Sequence, residues 1–280
     1  MTISDILLHL DPASDNAAET GAAIALATEH DAHLAGLTTV TDPDLPIYGF
    51  AGLSEGVYRA MDSMVGDQIA KAKAAFTERT EKAGIGTDFR AAKTYGAEVH
   101  EVVATHGRHA DLVIVRQSDP EVPRAGGRDV IEEIVLAAGR PVLVIPYMGT
   151  HEKIASNVVV GWDGSREAAR ALGDAMPLIR KAGKVNVLVV NPHSRGDAHG
   201  ELPGADISTH LARHGLNVNL MVESASGIDP GNLILSRAAD LDADMLVMGA
   251  FAHSRLQQTL FGGVTRSILQ QMTLPVLLSH

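Results

Sequence analysis

The 280-residue chain contains no cysteine. That absence excludes disulfides, thiolate zinc sites, iron–sulfur clusters and a cysteine nucleophile. It is also compatible with a reducing compartment. No dense basic run occurs, and 23 Lys and Arg face 34 Asp and Glu, for a net charge of −11. This balance argues against general nucleic-acid affinity, which comes mainly from cations on phosphates. The first residues, Met1-Thr2-Ile3-Ser4-Asp5, carry no basic region ahead of an apolar stretch, so no signal peptide is expected. No run approaches the roughly 18 apolar residues of a membrane helix. A soluble, cytoplasmic protein is the expectation. Three common motifs are also missing: G-x-G-x-x-G, G-x4-G-K-[ST] and H-E-x-x-H. Their absence removes the standard dinucleotide, P-loop and metalloprotease readings.

Hydrophobic residues make up 45% of the chain, enough to bury a sizeable core, and its length of 280 residues fits one large or two ordinary domains. An internal repeat decides between them. The run Asp5–Leu10 with Asp11 resembles Asn157–Trp162 with Asp163. Ala110–Val115 resembles Ala243–Met248, and Arg140–Ile145 resembles Leu274–Ser279. The copies are offset by 152 residues at the first landmark and by 133 and 134 at the other two. The first copy therefore carries about twenty extra residues. These lie at about 41–66, a Pro-containing stretch with Tyr48, Phe50 and Tyr58 that reads as a lid, a partner-contact loop or a plain surface loop packing its own aromatics. The first unit spans 1–147 and the second 157–280.

The apolar runs are continuous, as expected of parallel strands buried on both faces. Strands are expected near 5–10, 33–39, 88–92, 112–115 and 141–145, then near 157–162, 185–190, 218–222, 245–248 and 275–278. Helical spacing fills the gaps, as at Ala17–His30, Met61–Ala83 and Arg166–Lys181. Asp229-Pro230 is a good helix start, since Asp can cap and Pro suits the first turn. Alternating strands and helices give an α/β fold: two tandem Rossmann-like domains, each a five-stranded parallel sheet flanked by helices.

The main chemical signal runs from Met248-Gly249-Ala250-Phe251-Ala252-His253-Ser254-Arg255 to Phe261-Gly262-Gly263-Val264-Thr265-Arg266. It follows an expected strand and opens an expected helix at about Gly263. Glycines let a backbone approach a ligand, and helix N-terminal N–H groups suit a phosphate. In an open parallel sheet, ligands sit beyond the carboxyl ends of the strands. Asp163 ends the second unit's first strand and should face the same crevice. The plainer alternative is a tight glycine turn feeding a helix.

On these residues the chain resembles the universal stress protein family in its tandem form. Nucleotide-binding members carry G-x2-G-x9-G-[ST] after the fourth strand. Gly249 and Gly262 match two of those positions, whereas Ala252 replaces a Gly and Gly263 replaces Ser or Thr. The resemblance implies an adenine nucleotide, ATP or a related compound, in the second unit. Asp163, Gly164, Ser165 and Val190 would lie by the nucleoside. Met248, Gly249, Ala252, His253, Ser254, Arg255, Gly262, Gly263, Val264 and Thr265 would lie by the phosphates, with Mg²⁺ bridging a triphosphate. It also implies that the two units pair about a pseudo-twofold axis, with Pro141–Ile145 beside Pro275–Leu278. Dimerisation of the whole chain and an unidentified protein partner stay open. The first unit keeps Asp11 but has Arg116-Gln117-Ser118-Asp119-Pro120 after its fourth strand, and Gly126-Gly127 only with a two-residue shift. It is expected to bind no nucleotide.

Other motifs carry less. Gly52-Leu53-Ser54-Glu55-Gly56 fits G-x-S-x-G, but no strand precedes it as a nucleophile elbow requires. His106-Gly107-Arg108-His109, with His100, suggests zinc but offers no third ligand. Trp162 reads as core or crevice wall. No combination of acid, base and nucleophile is visible, so any ATP hydrolysis would be slow. The alternative function is a nucleotide-independent interaction module that retains the fold with a degenerate site.

Overall fold

A computed structural model describes residues 2–12, 14–42, 55–95, 99–119, 130–192, 202–250 and 263–280. The first half consists of β1 (Asp5–Leu10), α1 (Ala17–His30), β2 (His33–Asp42), α2 (Glu55–Ala83), β3 (Thr87–Tyr95), α3 (Val99–Gly107), β4 (Leu112–Arg116), α4 (Val130–Ala138) and β5 (Val142–Ile145). The second half consists of β6 (Asn157–Gly161), α5 (Arg166–Ile179), β7 (Lys184–Val190), α6 (Ala205–Arg213), β8 (Val218–Glu223), α7 (Pro230–Asp240), β9 (Met245–Gly249), α8 (Gly263–Gln271) and β10 (Val276–Ser279).

The two expected sheets are one. Ten strands run in the order β3-β2-β1-β4-β5-β10-β9-β6-β7-β8. Within each half all pairings are parallel, and the halves join through the antiparallel pair β5–β10. Leu143 faces Leu277 at the centre of that pair, flanked by Val144–Val276 and Val142–Leu278. Leu143 and Leu277 are equivalent positions of the repeat, so the pseudo-twofold axis passes between them.

The inner strands are mostly apolar because their two faces feed two separate cores. Ile6, Leu8 and Leu10 join Leu26, Phe76, Leu172 and Leu211 under α1, α2, α5 and α6. Leu7 joins Val103, Ile134, Ile234 and Ile268 under α3, α4, α7 and α8. In β6, Val158 and Val160 serve the first core and Val159 the second. Burying one such side chain contributes about 1.5–3 kcal/mol.

The repeat extends to hydrogen bonds. The Asp111 carboxylate accepts from the Ser4 and Asp5 N–H groups at 2.8 and 3.1 Å. Asp244 accepts from Ser156 and Asn157, both at 3.0 Å. In each half this Asp, just before the fourth strand, ties down the start of the first.

The extra residues of the first half lie between β2 and β3, and they are not all loop. Residues 43–54 are outside those described, but from Glu55 the chain is already helical, six residues before the expected start. α2 has 29 residues where its counterpart α6 has nine. The early turns escaped the sequence reading because few of their residues pack. Val57 and Met64 are exposed, and the inward face starts at Val65 and continues through Phe76 and Thr80. Phe76 meets Phe89 of β3 with ring centroids 6.1 Å apart.

Candidate functional site

The strand order reverses at β1 in the first half and at β6 in the second, so each half has one topological switch point. At β6 the Trp162 N–H donates to the Leu188 carbonyl at 2.9 Å, extending the ladder by one residue. Asp163 comes next. Its Oδ1 accepts from the Ser165 N–H at 3.0 Å and the Ser165 hydroxyl at 2.6 Å. Gly164 has φ +72°, a left-handed conformation that favours glycine. Ser165 then caps α5, its Oγ accepting from the Ala168 N–H at 3.1 Å. Asp163, Gly164 and Ser165 thus form one turn aimed by β6.

The first turn of α5 presses on the end of β9. A Cβ at Gly249 would stand 2.4 Å from the Ala168 nitrogen and 2.5 Å from the Glu167 carbonyl carbon. Glycine here permits close strand–helix packing, whatever else binds nearby. The contact brings in Glu167, which the sequence reading missed because an acidic residue in a first turn is commonplace. Its carboxylate is 4% exposed. Burial pushes its pKa up, but the hydrogen bond from Arg166, the backbone, and the charges of Arg166 and His280 outweigh that and hold it below the ordinary value. Beside it, His280 Nδ1 lies 3.0 Å from the Ala250 carbonyl.

On the other side of β6, Val190 ends β7, half-buried and paired with Glu223. Asn191 follows at φ +51°, its Oδ1 accepting from the Ala225 N–H at 2.8 Å. Helix α8 begins at Gly263, as the sequence suggested. A Cβ at Gly263 would touch nothing within 4 Å. Val264 is half-buried, and Thr265 and Met248 are buried. The start of α8 is braced by α7: Asp229 Oδ1 caps Asn232 at 3.1 Å and accepts from the Ser267 hydroxyl at 2.8 Å. Ala252, His253, Ser254, Arg255 and Gly262 lie outside the described residues.

The first-half switch point is built differently. Asn16, buried and left-handed at φ 54°, folds the turn upon itself. Its Oδ1 accepts from the Asp11 N–H at 2.9 Å, and its Nδ2 donates to the carbonyls of Asp11 and Ser14 at 2.8 and 3.0 Å. Arg116 stands where the second half has Gly249, its Nη2 donating to the Tyr147 carbonyl at 3.0 Å. Gly126 and Gly127 lie outside the described residues.

Among the described residues no group of three or more His, Asp or Glu could hold a metal ion. His100 Nδ1 sits 3.0 Å from Glu133 Oε2. No helix among the described residues is long and apolar enough to cross a membrane.

The fold and its switch points define a doubly wound α/β protein with a tandem, internally paired architecture. The model of the Universal stress protein family matches residues 155–280. Comparison with curated proteins finds no match. Among solved structures, a universal stress protein from Archaeoglobus fulgidus is similar with 16% identity and a TM-score of 0.73, over 99% of this chain and 96% of that one. A putative universal stress protein from Pseudomonas aeruginosa is similar with 18% identity and a TM-score of 0.64, over 99% and 93%. A functionally unknown protein from Pseudomonas aeruginosa has 17% identity and a TM-score of 0.64, over 99% and 92%. Residues 155–280 thus match the universal stress protein family model, and the fold of the whole chain is similar to that of these structures.

Proposed function

We propose that the second half binds an adenine nucleotide, ATP or a related compound, as part of a stress response, without efficient turnover. The observation that carries this reading is the convergence at the β6 switch point. The Asp163–Ser165 turn, the start of α5 and the end of β9 are in contact there, and α8 opens at Gly263 directly after the glycine-containing segment. Asp163 and Val190 take the nucleoside. The backbone from Gly249 through Ala252, His253, Ser254, Arg255 and Gly262 to Gly263 takes the phosphates, aided by the N-terminal dipole of α8. Mg²⁺, when present, neutralises a triphosphate. The first half, with Asn16 and Arg116 at its switch point, takes none.

One observation favours a second reading, an interaction module that binds no nucleotide. Packing against α5 accounts for Gly249 alone, so that glycine does not require a ligand. Calorimetry with ATP, ADP and AMP, with and without Mg²⁺, separates the two. Heat at micromolar concentrations supports nucleotide binding, and silence up to millimolar supports the module. Gly262→Val should abolish binding. The double change Ala252→Gly, Gly263→Ser restores the motif and should tighten it. Mass analysis of any nucleotide that co-purifies identifies the compound.

A further inference from the structure

Leu143 and Leu277, 134 residues apart, face each other on the pseudo-twofold axis. Glu132 of α4 and Arg266 of α8 are also 134 apart, and they too face each other across it. Arg266 Nε reaches Glu132 Oε1 at 3.2 Å, and Nη2 reaches Oε2 at 3.3 Å. In a pair of identical units, equivalent residues on the axis meet their own kind. Two glutamates or two arginines would repel there, whereas this chain places one of each.

A second contact runs one way only. Gln117, just past β4, is 2% exposed. Its Nε2 donates to the Leu269 carbonyl at 2.9 Å, and its Oε1 accepts from the Tyr147 N–H at 3.3 Å. Leu269 lies in the last turn of α8, where a helix leaves its carbonyls without partners further along. The first half therefore supplies the cap. The second half cannot return it. The Gln117 N–H donates to the Ile145 carbonyl as the Ala250 N–H donates to that of Ser279, so the equivalent of Gln117 is Ala250, whose methyl group cannot hydrogen-bond.

We propose that Gln117 and Glu132 are positioning residues through which the first half sets the affinity of the second half for its nucleotide. They hold α8, the helix leading out of the candidate phosphate segment, near its start at Arg266 and at its end at Leu269. This rests on the nucleotide reading above. The half that lost its own glycine segment has kept a task, which is to fix the helix of the other.

The test uses the full chain. Gln117→Met keeps length and bulk but removes the donor. Glu132→Arg sets two cations face to face, and Glu132→Arg with Arg266→Glu reverses the pair. By calorimetry with Mg²⁺ and ATP, each single variant should bind about fivefold or more weakly, within the usual range of coupling between sites. The reversed pair should recover most of the Glu132→Arg loss, which ties that loss to this one ion pair. Hydrogen exchange without nucleotide gives a second reading: residues 268–272 should exchange faster in Gln117→Met. Wild-type affinity in both single variants, or no rescue by the reversed pair, overturns the proposal. So does unchanged exchange in α8. If the wild type itself binds no ATP, the nucleotide reading fails along with any role in affinity, and exchange alone decides whether the clamp on α8 exists.

Discussion

The two switch points of this molecule share a scaffold and differ in what fills them. In the second half, Gly249 lets the first turn of α5 lie directly against β9, and Asp163 and Ser165 shape the turn ahead of the helix. In the first half, Arg116 takes the glycine's place, and buried Asn16 ties the turn to Asp11 and Ser14. Both carry a buried Glu in the first helical turn, Glu19 and Glu167. The scaffold tolerates either a side-chain brace or a bare backbone contact at the same topological place.

The sharpest way to break this contrast is at the glycine. Gly249→Val would drive a side chain into the backbone of α5, which has no rotamer with which to yield, so the loss should be about 3 kcal/mol or more. Arg116→Ala, at the equivalent place, should cost far less, and urea unfolding compares the two. Next comes Asn16→Ala. It removes the acceptor of the part-buried Asp11 N–H and places alanine at a positive φ, for a loss of about 1–3 kcal/mol by the same measurement. Ser165→Ala removes a helix cap and should cost about 1 kcal/mol, with Ser165→Asp close to neutral.

The smallest effect is on pH dependence. His106 and His30, both in the first half, are held below the usual histidine range. At His106 burial is the main cause, Arg90 and His109 add to it, and Asp88 opposes. At His30 burial again leads, Glu29 opposes and Lys181 adds. A histidine with a depressed folded pKa stays neutral when folded, while the unfolded chain takes up a proton as pH falls through 6.5. The stability it contributes is present above that pH and is lost below it. His106→Gln should flatten the decline, read as urea midpoints on either side of that value. Hydrogen exchange should show the loss in the first half before the second.

Much of the fold could be read in advance because most of the central strands are short, continuous apolar runs, the pattern of parallel strands buried on both faces. The helix Ala17–His30 and the cap at Asp229 were legible for similarly local reasons. The site was less so. The place of Asp163 just past the first strand of its unit and the start of α8 at Gly263 followed from motif and spacing, whereas the turn from Asp163 to Ser165 did not. Glu167 matters because the end of β9, more than eighty residues away, packs on it, and Arg116 braces the chain through Tyr147, 31 residues on; Asn16 acts locally, on Asp11 and Ser14, but its left-handed backbone is not written in its neighbours. The early part of α2 was missed because a helix with few buried positions gives little periodic signal.

Sequence alone determined the duplication, the alternation of strand and helix, and the net negative charge. Each of these is a property of local pattern or of composition. Tertiary structure supplied the antiparallel register of β5 on β10, a pairing that only the family resemblance had implied, and decided that Glu132 meets Arg266. It also decided that Gln117 caps a helix of the other half. Such contacts join residues more than a hundred positions apart. Their energy depends on geometry set by the pseudo-twofold axis, and no stretch of neighbouring residues encodes that.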